Sequence, residues 1–145
     1  MAVRDRHFIY FFGVLRELSE EIKSPHGYYG YHLLLDCGGC DQEAITNPET
    51  LKLWVQSLVR RIDMVAYGEP QIIHFGHNER HLEGWTVIQL IETSNIIAHF
   101  NDHTGEGYID VFSCKPFNID VAEDTVIEFF APRKIRKNYI TRQAD

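Results

Sequence analysis

The chain has 145 residues, 44% of them hydrophobic and 12% aromatic, which suffices for one folded domain and argues against disorder. Its formal net charge of −7 argues against a nucleic-acid-binding surface, which needs clustered excess lysine and arginine. No run of residues approaches the roughly 18 apolar positions of a transmembrane helix, so no membrane association is expected.

Residues 1–26 are predicted to form an N-terminal extension that contains an amphipathic helix. Apolar side chains recur there at helical spacing, at Phe8, Phe11, Phe12, Leu15 and Leu18. Charged residues follow the apolar run directly, where a secretion signal would carry small residues for cleavage. The segment is therefore interpreted as part of the working protein rather than as a signal peptide.

Residues 27–145 are predicted to form a single domain. Its predicted elements in chain order are a strand at 31–37, a helix from Pro48 to Asp63, strands at 71–75, 84–92, 95–100 and 107–113, a helix that opens with a capping box of Asp120 and Glu123, and a strand at 135–141. This order predicts the α+β class, as a two-layer α/β sandwich with a mostly antiparallel sheet and helices on one face. The other face would then lie bare, and a second copy of the chain is its predicted cover, which gives a homodimer.

Two of these strands are predicted to form a hairpin around a polar loop. Antiparallel pairing keeps the sum of the two residue numbers constant, so a pair between Phe100 and Gly107 places Thr93 opposite Cys114. The cysteine thiol is therefore predicted to lie beside the Thr93–Ser94 peptide bond.

His99 lies on the same predicted strand as Ser94, five residues further along. An extended strand separates two such residues by about 16 Å, so His99 is not expected to touch Ser94 of its own chain. Two alternatives stay open: the strand bends sharply, or the histidine serves a second copy of the site across a subunit interface.

The order and spacing of Ser94, His99 and Cys114 resemble those of the small prokaryotic-type S-adenosylmethionine decarboxylases, which are pyruvoyl-dependent. The resemblance extends over residues 31–143. The matching motifs are Tyr31-His32-Leu33-Leu34-Leu35-Asp36, Gly39-Cys40-Asp41, Gly84-Trp85-Thr86, Thr93-Ser94 and Tyr108-Ile109-Asp110-Val111-Phe112-Ser113-Cys114.

The resemblance implies a role for each site residue. Ser94 would attack the carbonyl of Thr93, so that the translated zymogen divides before Ser94 and this serine becomes the pyruvoyl cofactor. His99 and the hydroxyl of Thr86 would assist this processing, and Cys114 would donate a proton in catalysis. The pyruvoyl ketone would form a Schiff base with a substrate amine and withdraw the electrons that are released with carbon dioxide. The implied substrate is S-adenosylmethionine, the product serves spermidine biosynthesis, and the sites are shared between two protomers.

Two departures from the family pattern keep alternatives open. The segment 100–103 reads Phe-Asn-Asp-His where the family usually has Thr-Trp-Pro-Glu, and a carboxylate there helps to hold the nucleoside of the substrate. The first alternative is therefore a pyruvoyl-dependent decarboxylase of ornithine or arginine. Thr93 stands where the family usually has glutamate, and the second alternative is a non-processing regulatory or partner subunit.

Other groups of histidine and cysteine are predicted to bind no metal. Three histidines, His74, His77 and His81, lie within eight residues and would suit zinc, but they fall at a strand end and in a polar loop. Cys37 and Cys40 lack a second C-x-x-C pair and flank a Gly-Gly turn, so structural roles are expected. With Cys114 they give an odd number of thiols, which predicts a reducing, cytoplasmic location.

Overall fold

The computed structural model describes residues 26–144, so the helix predicted within residues 1–26 falls outside the described residues, except for His26. The described elements in chain order are β1 (Gly30–Gly38), α1 (Gln42–Ile45), α2 (Pro48–Arg61), β2 (Ala66–Phe75), β3 (Gly84–Ile91), β4 (Ser94–Asn101), β5 (Gly107–Ser113), α3 (Ile119–Phe130) and β6 (Lys134–Arg142). The strands form one sheet in the order β2-β3-β4-β5-β1-β6, with every neighbouring pair antiparallel. The predicted α+β sandwich is confirmed, and the short helix α1 is an addition to it.

The helices pack on one face of the sheet and form the hydrophobic core with it. Trp54 of α2 is fully buried, and its ring centroid lies 5.8 Å from that of Phe100 on β4 and 5.2 Å from that of Phe130 on α3. One aromatic cluster therefore joins both long helices to the centre of the sheet. None of the described helices has the length and apolar character needed to cross a bilayer.

The opposite face of the sheet, called the open face below, carries the alternate residues of the same strands. Side chains on an extended strand point to the two faces in turn, so the neighbours of buried core residues emerge here. Large apolar side chains that are between 38% and 50% exposed are Ile73, Phe75, Leu90, Ile97, Tyr108 and Ile140. An apolar surface of this kind on a two-layer sandwich is typical of an interface with another protein.

The start of α3 differs from the prediction, whereas the start of α2 agrees with it. Asn118 caps α3, since its Oδ1 accepts hydrogen bonds from the amides of Asp120 and Val121 at 3.0 and 3.1 Å. The predicted capping box with Asp120 at its head is therefore wrong. Asparagine caps a helix as well as aspartate does, and here it occurs two residues earlier in an extended backbone conformation. Helix α2 begins at Pro48 as predicted, and Asn47 caps it by accepting a hydrogen bond from the Glu49 amide at 2.9 Å.

Strand β2 is longer than predicted because it continues through an irregular stretch that contains Gly68 and Pro70. Its pairing with β3 shifts register between Tyr67 and Gln71, which marks a β-bulge. The buried Gln89 of β3 donates hydrogen bonds to the Tyr67 and Gly68 carbonyls at 3.5 and 3.2 Å. A buried amide side chain is thus hydrogen-bonded to backbone carbonyl groups at the bulge.

Candidate active site

The hairpin of β4 and β5 has the predicted register. Phe100 pairs with Gly107, and the backbone amide of Cys114 donates a hydrogen bond to the carbonyl of Thr93 at 2.9 Å. The hydroxyl oxygen of Ser94 lies 3.6 Å from the sulfur of Cys114, within hydrogen-bonding distance for a thiol. The Thr93–Ser94 peptide bond therefore lies beside the Cys114 thiol, and its carbonyl oxygen accepts a hydrogen bond from the Cys114 amide.

Ser94 is the first residue of β4, directly after the tight turn that follows β3. Its φ of 156° makes it one of three non-glycine residues with positive φ among those described. L-amino acids rarely adopt this region, and such residues cluster at functional sites where the surrounding structure holds them in place. Ser94 is also partly accessible to solvent, as a reacting group requires.

The side chain of Thr93 is fixed by a buried network. The hydroxyl of Ser113, which is fully buried, donates to the Thr93 hydroxyl at 2.9 Å, and the Thr93 hydroxyl donates to the sulfur of Met64 at 3.3 Å. The Lys115 amide in turn donates to the Ser113 hydroxyl at 3.0 Å. Sequence reasoning missed this network, although a serine after buried Ile109 and Val111 on the core-facing side of β5 signals a position selected for its hydroxyl.

These contacts favour an attack by the Ser94 hydroxyl on the carbonyl of Thr93. The Cys114 amide already donates to the oxygen on which negative charge would develop, and a donor fixed before reaction stabilises that charge without reorganisation. We call Thr93, Ser94 and Cys114 the cleavage half of the site.

Thr86 and His99 form a second group, called the histidine half below. They face each other across β3 and β4, and Oγ1 of Thr86 lies 2.8 Å from Nδ1 of His99. If Nδ1 carries the proton and donates it to this hydroxyl, Nε2 keeps a lone pair and can act as a base. Both residues lie on the open face of the sheet, in line with the exposed Ile97 and Tyr108.

The two halves do not meet within one chain. The ladder between β4 and β5 runs without a register shift from Ser94 to Phe100, so this strand has no sharp bend. Five residues of extended strand separate Ser94 from His99 by about 16 Å. Of the two alternatives left open by the sequence, the sharp bend of the strand is therefore wrong, and a histidine that serves a second copy of the site stays a prediction.

A separate cluster of titratable side chains lies where β2 ends, β3 begins and β4 ends. His74 and His77 meet there with their Nδ1 atoms 3.1 Å apart, and Glu83 lies close to both. His103 donates to the Glu83 carboxylate at 2.7 Å, and this hydrogen bond is the main reason why the pKa of Glu83 lies below its usual value. His81 stands apart from the cluster, exposed and paired with Glu79 at 3.4 Å.

Cys37 and Cys40 are buried free thiols next to the turn after β1. A hydrogen bond with Cys40, together with burial, raises the pKa of the Cys37 thiol far above its usual value. Cys37 therefore stays protonated and unreactive, in agreement with the structural role expected from the sequence.

Comparison with known proteins gives a family from sequence and a shared fold from structure. Residues 31–143 match the family model described as S-adenosylmethionine decarboxylase. An S-adenosylmethionine decarboxylase proenzyme of Clostridium botulinum strain Hall is 27% identical over 108 residues, which cover 74% of this chain and 78% of that protein. A proenzyme of the same name from strain Langeland is 28% identical over 87 residues, or 60% and 70% of the two chains. The crystal structure of adenosylmethionine decarboxylase from Aquifex aeolicus VF5 has the same fold, with a TM-score of 0.69, 24% identity, and coverage of 81% of this chain and 93% of that one.

Proposed function

Since the chain belongs to the S-adenosylmethionine decarboxylase family, we propose that it is a self-processing, pyruvoyl-dependent carboxy-lyase that decarboxylates S-adenosylmethionine for spermidine biosynthesis. The observation that carries this proposal is the 3.6 Å contact between Ser94 Oγ and Cys114 Sγ, beside a Thr93 carbonyl that accepts a hydrogen bond from the Cys114 amide. A nucleophile, an acid and a polarised carbonyl thus meet at one peptide bond.

Processing begins when the Ser94 hydroxyl attacks the Thr93 carbonyl carbon. The C–N bond between the two residues breaks, an ester to Ser94 Oγ replaces it, and the Ser94 nitrogen becomes a free amine. A base then removes the α-proton of Ser94, and the Thr93 carboxylate leaves from the β-carbon. Hydrolysis of the resulting enamine consumes one water and releases one ammonia, which leaves a pyruvoyl group at position 94.

The residues around position 94 fit such a group. A pyruvoyl group held there would supply a ketone for the substrate amine and an electron sink for the carbon–carbon bond that breaks. The Cys114 thiol, 3.6 Å from Ser94 Oγ, is positioned to return a proton to the substrate carbon after carbon dioxide has left. Cys114 thus acts in both stages, through its backbone amide in processing and through its thiol in catalysis.

The base is His99 of a second copy, which makes the functional unit a homodimer. The exposed apolar side chains of the open face support this assembly, since burying them removes apolar surface from water. Ile97 lies about midway between Ser94 and His99 on β4 and is itself 38% exposed. A two-fold axis near Ile97 would bring the cleavage half of each chain to the histidine half of its partner.

Replacing Cys114 with alanine is expected to separate the two stages. The backbone amide that polarises the Thr93 carbonyl stays in the variant, so the chain should still be cleaved. The loss of the proton donor should lower kcat by about 10² to 10⁴-fold, as for other general acids. Fragment formation is followed by gel electrophoresis and kcat by release of carbon dioxide. Cys114→Ser serves as the matched control with a weaker acid, and an unchanged kcat in the alanine variant would contradict the role.

The substrate is tested by measuring carbon dioxide release from carboxyl-labelled S-adenosylmethionine, ornithine and arginine. The proposal expects turnover of S-adenosylmethionine, and the family match does not favour the two amino acids. The segment 100–103 motivates their inclusion. Turnover of ornithine or arginine without turnover of S-adenosylmethionine would contradict the proposed substrate but not the proposed pyruvoyl cofactor.

We also propose that the enzyme works in the cytoplasm. Cys37, Cys40 and Cys114 are all free thiols, and the proton-donor role requires Cys114 to stay reduced. Treatment with a mild disulfide-forming oxidant should therefore inactivate the processed enzyme, and added reductant should restore it.

A further inference from the structure

We propose that His74, His77 and Glu83 bind one divalent metal ion of the zinc class and that this ion fastens the loop 76–83 to the sheet. The proposal is independent of the decarboxylase reaction, because none of the three residues belongs to either half of the active site. It departs from the sequence-based expectation that the histidines of this region bind no metal.

The ligand atoms already have the spacing of a metal site. The Nδ1 atoms of His74 and His77 are 3.1 Å apart, and one atom from each of the three residues lies within 4.8 Å of the others. Two nitrogens at about 2.05 Å from a tetrahedral zinc ion are separated by about 3.3 Å. Small side-chain adjustments therefore suffice to bind an ion, with a fourth position left for water.

Two outer contacts fix the orientation of the ligands. His74 Nε2 lies 2.6 Å from a carboxylate oxygen of Asp102 and donates its proton there, so Nδ1 faces His77 with a free lone pair. His103 holds the Glu83 carboxylate in the same way from the other side, at 2.7 Å. Carboxylates and donors that orient the first ligands in this manner are a regular part of metal sites.

Asp102 gives a second, independent indication of a cation. Its other carboxylate oxygen, Oδ1, is buried and has no hydrogen-bond partner among the described residues. A buried carboxylate with an unpaired oxygen is costly, and positive charge placed on the adjacent His74 ring by a bound metal would offset that cost.

The loop is folded so that ligands six residues apart return to His74. Gly76 has a φ of 79°, and a Cβ at this position would lie 2.6 Å from the backbone of Leu82, so only glycine allows the loop to close this tightly. The Glu83 amide donates to the Glu79 carbonyl at 2.9 Å, and the buried Asn101 side chain donates to the His81 carbonyl at 2.9 Å. The scaffold of the site is therefore set before a metal arrives.

The test is a titration of the whole protein, purified without a polyhistidine tag, with zinc chloride in an isothermal calorimeter. One ion per chain is expected. Cobalt(II) then serves as a spectroscopic substitute, and the tetrahedral d–d bands should appear without thiolate-to-cobalt charge-transfer bands. If thiolate-to-cobalt charge-transfer bands appeared, the ion would be bound by cysteines. If zinc binding did not saturate, the cluster would be only a network of hydrogen bonds. Either result overturns the proposal.

Variants distinguish the site from general binding to surface histidines. His77→Ala and Glu83→Gln should each weaken zinc binding at least tenfold, and Asp102→Asn should weaken it by about 10 to 100-fold. His81→Ala is the matched control, because this histidine belongs to the same loop but lies outside the cluster, and its affinity should equal that of the wild type. Equal losses in His81→Ala and His77→Ala would refute the assignment. Chain cleavage, read from the same samples, reports separately on the proposed function.

Discussion

Ser94→Ala is expected to yield a single uncut chain without decarboxylase activity. The substitution removes the hydroxyl that attacks the Thr93 carbonyl and whose oxygen must leave with the Thr93 carboxylate before a pyruvoyl group can form, so cleavage and activity should disappear together. Since the pyruvoyl group carries the whole reaction, activity should fall to background rather than by a partial factor. The intact mass of the purified protein and carbon dioxide release from S-adenosylmethionine are the two measurements.

Mass spectrometry also separates self-processing from proteolysis. Processing adds water and releases ammonia, so the masses of the 1–93 and 94–145 fragments should sum to that of the precursor plus about 1 Da, whereas peptide hydrolysis adds about 18 Da. Ser57→Ala is a matched control at a partly exposed serine of α2 and should be cleaved like the wild type. A fully active Ser94→Ala variant would refute the mechanism. An uncut wild-type chain would instead support the non-processing partner subunit.

Coexpression of Ser94→Ala and His99→Ala chains is expected to restore activity that neither variant has alone. If each site takes Ser94 from one protomer and His99 from the other, a mixed dimer contains one complete site and one doubly defective site. One of the two sites in each mixed dimer is complete, so about half of the wild-type activity per dimer should return. Activity is measured on mixed dimers isolated through two different affinity tags.

The opposite outcome is equally clear. If both residues serve the site of their own chain, every site in the mixed dimer lacks one of them, and no activity should return.

Thr86→Ser keeps the hydroxyl that lies 2.8 Å from His99 Nδ1 and should preserve processing, whereas Thr86→Val removes this hydroxyl and should slow processing. Circular dichroism and gel filtration of each variant exclude misfolding and loss of the dimer as causes.

The β4–β5 hairpin was accessible to prediction from sequence because its two strands alternate and the loop between them is short. The pairing of Phe100 with Gly107 fixed the position of every residue along the hairpin, including the approach of Cys114 to Ser94. The start of α3 was misplaced because aspartate and asparagine are equivalent cap residues, and only the backbone conformation of Asn118 decides between them.

Parts of the sites depend on contacts between distant segments, which periodicity does not encode. Met64 reaches Thr93 from the loop after α2, 29 positions away in sequence. Glu83 replaces His81 beside His74 and His77 because the loop closes at Gly76, a feature of three-dimensional packing. The domain boundary near residue 26 stays a prediction.

The strand order has a consequence for the protein if its chain divides before Ser94, as we propose. The 1–93 fragment contains β1, β2 and β3, and the 94–145 fragment contains β4, β5 and β6, yet β1 lies between β5 and β6 in the sheet. Three of the five strand–strand ladders therefore join one fragment to the other. The two polypeptides are interleaved, so neither can dissociate without dismantling the sheet. After denaturation, the 1–93 and 94–145 fragments of the processed protein must find each other by diffusion. The yield of refolded domain should therefore depend on protein concentration for the processed protein, whereas folding of the undivided precursor domain should not.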